Sequence, residues 1–223
     1  MRPIRIGFKK IGQAKYISHL DLTRCMARAL KRAKLPVWHT QGFNPHPYMS
    51  FALPLPLGVE SLCESMDIRL THDISDEEVF DKISSVMPQG IMITGVNKPV
   101  MDVSVIAYAS YNILIELPKT QAEDFCSAVK ALMSGNELMV EKIGKKGRKK
   151  VKKQVNIIDQ IKKFDINMEN DSVSIDAITA AGNNINLNPW LIVHAIDREI
   201  SIKADSVKIT RKSLLSANGE EFN

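Results

Sequence analysis

Apolar and polar residues alternate with a period of two along Arg5-Ile6-Gly7-Phe8-Lys9-Lys10-Ile11, the pattern of a strand with one face buried. After a connecting loop, Ser18-His19-Leu20-Asp21 has the Ser-x-x-Asp form that opens a helix. Leu22, Met26, Ala29 and Leu30 then recur at helical spacing, and Arg24, Arg28, Lys31 and Arg32 recur on another face. Pro36 stops that helix, and Val37-Trp38-His39-Thr40 starts a second strand. Alternation returns at Ser65–Leu70. Ser75-Asp76-Glu77-Glu78 opens a second helix ending near Pro88, and Ile91–Val96 is a fourth strand. The order is β-α-β-β-α-β, the ferredoxin-like arrangement.

The same order roughly repeats. Tyr111–Leu117 reads as a strand and Thr120–Met133 as a helix. Leu138–Ile143 and Lys149–Ile157 read as strands around a basic tip, and Phe164–Met168 with Val173–Ile178 as a hairpin turning at Asn170-Asp171. Asn188-Pro189-Trp190 begins a helix, and Ser206–Arg211 is a last strand. The expected fold class is therefore α+β, as two tandem ferredoxin-like units, the second with extra hairpin strands. Residues 1–99 would form the first, with a Gly/Pro-rich loop, and residues 108–215 the second, with a basic hairpin. Identity between the halves is negligible, so the repeat is one of element order only.

Composition narrows the class without changing this picture. At 223 residues, 44% hydrophobic and 25% charged, the chain has ordinary globular usage. No apolar run approaches the ~18 residues that cross a bilayer, and the first residues lack a signal peptide's apolar core. The reading is a cytoplasmic protein without a membrane partner. Cys25, Cys63 and Cys126 lie far apart with no Cys-x-x-Cys spacing, which argues against a disulfide scaffold, a cysteine zinc site or a self-contained iron–sulfur cluster. No cofactor fingerprint or Walker loop is present. His39 and His46 do not fall at a recognised ligand spacing, so no metal is expected.

Charge does change the picture. The net charge is +5, but residues 1–50 carry ten Lys/Arg against the single acid Asp21, and residues 142–153 carry eight and no acid. The rest of the chain is acidic. Two concentrated cationic blocks on an acidic body point to a polyanion, most simply nucleic acid.

Several features within residues 8–64 come in a fixed order. Ser18-His19-Leu20-Asp21 and the helix with Arg24 and Arg28 are followed by Gly42-Phe43-Asn44-Pro45-His46-Pro47 and Ser50-Phe51. Leu55-Pro56-Leu57-Gly58-Val59-Glu60-Ser61 and Glu64 complete the series. This block resembles the radical-SAM-linked protein family, whose members are encoded beside, or fused to, a radical SAM protein with a cobalamin-binding-type domain. The resemblance implies a radical SAM protein as partner but supplies no reaction. Because this chain lacks a Cys-x-x-x-Cys-x-x-Cys motif, it would be the accessory half.

The candidate chemistry follows from the first block. Arg24, Arg28, Lys31 and Arg32, about a turn apart, can follow successive phosphates. Lys15 precedes them. Trp38, His39, Phe43, Asn44, His46 and Tyr48 follow, a set able to stack on or read splayed bases. Trp38 is expected to pack inward as a strand aromatic, whereas Phe43, between Gly42 and Asn44-Pro45, is expected exposed. Lys145, Lys146, Arg148 and Lys149 on the second block would add electrostatic grip. The function expected is an RNA-binding accessory that presents ribosomal or transfer RNA to a partner radical SAM enzyme. Two alternatives stand beside it. One is a metal-independent endoribonuclease using His19 or His46, the only catalytic candidates. The other is a protein-interaction module in which the Pro-Leu-Pro-Leu stretch docks on the enzyme.

Overall fold

In the computed structural model, the first alternating segment is strand β1 (Arg2–Lys10), with Ile4, Ile6 and Phe8 wholly buried. The structure describes residues 1–118, 120–146, 149–169, 172–182 and 185–223, so the expected turn at Asn170-Asp171 lies outside the described residues. A short 3-10 turn, Gly12–Tyr16, leads to helix α1 (His19–Arg32). Ser18 caps α1 by accepting a hydrogen bond from the Asp21 backbone N–H at 3.1 Å, as the capping box requires. Leu22, Met26, Ala29 and Leu30 are its buried stripe, and the long ones contribute about 1.5–3 kcal/mol each on burial. The helix ends at Ala33, and Lys34 takes a left-handed φ of 52° before Leu35-Pro36.

The second strand is not at Val37–Thr40. Strand β2 is Met49–Phe51, and it takes the place beside strand β3 (Val59–Leu70) in the register Met49↔Ile68. Residues 37–40 instead pair with 46–48, through Thr40 N–H to His46 O at 2.8 Å and Tyr48 N–H to Trp38 O at 2.9 Å. Pro45 and Pro47 lack the N–H groups a longer ladder would need, so this pairing stays a narrow ribbon and makes only isolated bridges. Helix α2 (Asp76–Ser84), capped by Ser75, and strand β4 (Ile91–Asn97) complete the N-terminal elements. β1 pairs antiparallel with both β3 (Ile6↔Met66) and β4 (Ile6↔Val96). The helix-facing residues of these strands join Leu22, Met26, Leu30, Val79 and Ile83 in one core.

The chain divides into two units: residues 1–106 with 210–223, and residues 107–209. The second contains β5 (Ile106–Glu116, from its second residue), α3 (Ala122–Met133), β6 (Met139–Lys146), β7 (Lys149–Asn156), β8 (Ile161–Glu169), β9 (Ser172–Ala180) and α4 (Trp190–Glu199). Its hydrogen-bonded strand order is β5-β9-β8, antiparallel, while β6 and β7 form a separate two-stranded sheet. α3 starts two residues later than the sequence suggests. Thr120 sits at a left-handed φ of 71°, so it cannot be the first residue of the helix. Tyr111, Ile113, Phe125, Val129, Ile175, Ile192 and Ile196 are buried in this unit. The architecture is α+β with mostly antiparallel sheet. Among the described residues no helix is long and apolar enough to cross a membrane.

The last strand, β10 (Ser206–Ser216), is longer than its sequence pattern suggests. Residues 210–215, grouped by sequence with the second unit, lie in the first. There Arg211, fully buried, donates from Nε to Glu64 Oε1 at 3.2 Å and from Nη2 to Glu64 and to Leu53 O. Lys10, also buried, donates from Nζ to Ile17 O at 2.9 Å. Burial pulls its ammonium below the usual lysine value. The charge of Arg211 adds to that depression and Glu64 opposes it. Nearby, the Gly12 N–H donates to the buried Glu60 at 3.0 Å. Burial pushes the Cys63 thiol up to about 11, with Glu64 adding to the rise and Arg211 opposing it.

Replacing Arg211 by Met leaves Glu64 buried without its main partner. The expected loss in urea unfolding is about 3–5 kcal/mol, and adding Glu64→Leu should recover a substantial part. A single variant as stable as the wild type would contradict this account. For Cys63, the folded value lies above the ordinary 9.0, so the fold keeps a proton that the unfolded chain releases. That stabilisation is whole below pH 9 and is lost as pH rises toward 11. Thermal unfolding across this window should therefore decline less steeply for Cys63→Ala than for the wild type; equal slopes would exclude the effect.

Candidate nucleic-acid interface

The cationic face of α1 follows from its period: with Leu22, Met26 and Leu30 buried, Arg24, Arg28, Lys31 and Arg32 are all exposed. They are not equivalent. Arg24 donates to Asp21 at 3.2 Å, so part of its charge is answered within the helix. Asp21 itself is held below the usual carboxylate range, chiefly by the Ser18 hydroxyl and then by Arg24. Arg32 donates to Val86 O at 3.0 Å. Arg28 and Lys31 make no ion pair or hydrogen bond among the described residues, which leaves both free for a ligand anion.

Arg28 and Lys31 rim a cleft of about 480 Å³ between α1 and the 37–48 ribbon. Leu30, Leu35 and Val37 form its apolar wall, and His39 and Pro47 close the opposite rim. The structure thus gathers three residues singled out by sequence, Arg28, Lys31 and His39, at one concave site. The His39 ring is oriented by an Nδ1 contact to Val37 O at 3.0 Å. A carbonyl only accepts, so Nδ1 carries a proton, and Nε2 is left without a partner among the described residues.

The ribbon carries the other candidates at its tip. Gly42, at φ 135°, permits the bend that projects Phe43 entirely into solvent beside exposed Asn44. His46 is exposed but tied: its Nδ1 lies 3.0 Å from Asn44 O and 3.1 Å from Thr40 Oγ1. The ring thereby stiffens the loop. His19 stands exposed at the first position of α1, its ring 5.1 Å from that of Phe51 at an interplanar angle of 78°. Lys15 lies half-buried with its ammonium 5.2 Å from the Tyr16 ring, outside the cleft lining.

Trp38 is half-buried, not in the core. Its ring lies 5.8 Å from that of Tyr48, and the exposed Arg69 guanidinium sits 5.7 Å from the first and 4.6 Å from the second. Arg69 was not singled out by sequence. Its position on the polar side of an alternating strand was legible, but its ring neighbours depend on the ribbon pairing that places Trp38 N–H on Arg69 O at 2.7 Å.

In the second basic block, Arg148 lies outside the described residues, as do the side chains of Lys145, Lys146 and Lys149; their backbones pair as Lys145↔Lys150 and Lys146↔Lys149. Of its neighbours, Lys142 donates to Asn186 O at 3.1 Å and Lys152 pairs with Glu141 at 2.9 Å. The Pro-Leu-Pro-Leu stretch is less available than its composition suggests. Leu53 and Leu55 are buried and only Leu57 is exposed.

No curated protein matches the chain. Among solved structures, a chain of a Cbf5-Nop10-Gar1 complex is similar over 93% of this chain and 48% of its own, at 10% identity and a TM-score of 0.46. The protein thus spans about half that chain's length. An unknown protein from Galdieria sulphuraria is similar over 94% of this chain and 98% of its own, at 10% identity and a TM-score of 0.27. A heavy metal efflux pump is similar over 94% and 28%, at 7% identity and 0.26. These likenesses are too low to bear on architecture or activity. A family model, in contrast, matches residues 3–189, most of the chain, and on that match the protein belongs to the DUF2344 family of uncharacterized proteins conserved in bacteria.

Proposed function

We propose that the protein is a cytoplasmic RNA-binding accessory that presents RNA, ribosomal or transfer RNA, to a partner radical SAM enzyme. The observation that carries the RNA part is the cleft on which unpaired Arg28 and Lys31 converge with His39. Cations on one rim answer phosphates, and the apolar wall and neighbouring rings suit bases splayed from a single strand. Phe43 and Asn44 at the ribbon tip extend that surface. In this proposal Lys145, Lys146, Arg148 and Lys149 of the second basic block, cationic by sequence, add electrostatic grip on RNA. The partner part rests on the ordered match of residues 8–64 to the radical-SAM-linked pattern. Exposed Tyr16 and Leu57, brought near one another by the Gly58 N–H to Lys15 O bond of 2.9 Å, offer an apolar docking point.

The proposal extends to the architecture. The first unit has β1 between β3 and β4 with β2 on the far side of β3, and the second has β9 between β5 and β8. This is the neighbour pattern of a β-α-β-β-α-β unit, and it supports reading both as ferredoxin-like.

Retention of single-stranded RNA on a filter should fall steeply with salt. With roughly 6–10 phosphates engaged, affinity drops by about three to five orders of magnitude between 50 and 200 mM salt. The double variant Arg24→Glu/Arg28→Glu should lose retention while its circular dichroism and unfolding midpoint stay unchanged, because both side chains are exposed. Salt-insensitive binding, or full retention by the double variant, would refute the RNA assignment.

A further inference from the structure

The first unit has a second concavity, on the sheet face turned away from α1. Gly7 alternates with Ile6 and Phe8, so it faces away from the core, and it stands in register between Ser65 of β3 and Gly95 of β4. Two glycines side by side on adjacent strands leave bare backbone where side chains would otherwise stand. The result is a cavity of about 420 Å³ with an apolar wall that includes the Phe222 ring. The Arg5 guanidinium lies 4.3 Å from that ring's centroid. Arg5 is itself fixed, donating to both Asp67 oxygens at 2.7 and 2.8 Å and to Met101 O at 2.9 Å. It serves as a rigid wall and is not a free cation.

Arg5 and Glu64 on the trough lining are answered by Asp67 and Arg211, but three other polar groups there lack partners among the described residues. Ser65 Oγ is buried and makes no hydrogen bond, in a strand where such a hydroxyl is costly to leave unpaired. The Asn97 amide and the Lys98 ammonium, both lining the trough, make no hydrogen bond or ion pair among the described residues. A floor left open over Gly95 and edged at Gly7 by the Thr94 hydroxyl, a ring wall, an amide that both donates and accepts, and an unanswered cation have matching demands. They suit a flat ring with hydrogen-bonding edges that carries a negative charge.

We propose that this trough binds a small anion of nucleoside-monophosphate size, in which a flat ring carries a phosphate through a short linker. The ring lies over Gly7 and Gly95 against Phe222, its edge meets Asn97 and Ser65, and Lys98 holds the phosphate. The site is independent of the α1 cleft: none of its lining residues belongs to that cleft.

Gly95 gives a clean test. A Cβ built there has only Asn97 Nδ2, at 3.5 Å, as a near neighbour, so a side chain fits sterically and fills the trough. At Gly7, in contrast, it would meet Thr94 Oγ1 at 2.9 Å. Titration calorimetry of the full chain with AMP, GMP, CMP and UMP should show binding of at least one of them. Ribose 5-phosphate, lacking the ring, and the matching nucleoside, lacking the phosphate, should each bind at least about tenfold more weakly. Gly95→Val and, as a second variant, Lys98→Ala should each weaken the nucleotide by at least about tenfold. Arg28→Glu/Lys31→Glu should leave it unchanged, whatever that variant does to RNA retention. Binding by none of the four nucleotides would overturn the proposal. So would wild-type binding by a folded Gly95→Val chain, or loss of nucleotide binding with the α1 variant alone.

Discussion

The first unit is organised around charges it has taken out of water. Arg211 and Glu64 are both buried and joined by two hydrogen bonds, and Lys10 and Glu60 lie buried in the same unit. Removing such groups from water costs several kcal/mol each unless they are answered, so each must find its partner in one geometry. The partners sit far apart in sequence. Arg211 reaches Glu64 and Leu53 O, Lys10 reaches Ile17 O, and Glu60 holds the Gly12 N–H. Together these bonds fix the 53–58 path, the start of β3 and the 12–17 segment that launches α1. An apolar cluster of the same volume could be as stable, but it would tolerate sliding.

That fixation gives the surface its shape. α1 leaves the 12–17 segment in a set direction, buries Leu22, Met26 and Leu30, and turns Arg28 and Lys31 outward. The 37–48 ribbon is held by Trp38 N–H on β3 and by the Thr40–His46 bonds. Between them lies a cleft with cations on one rim and an imidazole on the other. On the opposite sheet face, the absence of side chains at Gly7 and Gly95 makes a second hollow. The two concavities therefore have different physical origins, one from a helix against a ribbon and one from missing Cβ atoms.

Much of this was legible in the residues, for identifiable reasons. The capping box at Ser18-x-x-Asp21 and the helical stripe located α1, because both are local rules. The exposure of Phe43 followed from its Gly and Asn-Pro neighbours. Val37–Thr40 carries a strand's apolar pattern, yet the sheet takes Met49–Phe51 as its second strand. What decides the sheet neighbour is the long-range pairing Met49↔Ile68, which no local pattern encodes. The same holds for Arg211, whose strand was recognised but whose partner lies 147 residues away. Arg69 and the Gly7–Gly95 hollow were missed because each depends on which strands become neighbours. The loop geometry at His46, with its Nδ1 held 3.0 Å from Asn44 O, likewise depends on the 37–48 pairing and is not encoded in the residue's own neighbours.

The central claim is that α1 and the 37–48 ribbon form one RNA-contacting surface. Ultraviolet crosslinking of the full chain to single-stranded RNA, followed by mass spectrometry of the crosslinked peptides, tests it most directly. The account predicts adducts within residues 38–48, at Phe43 and its neighbours, and in the peptides carrying Arg28 and Lys31. Adducts confined to residues 107–209, or none at all under conditions where RNA is retained, would contradict it.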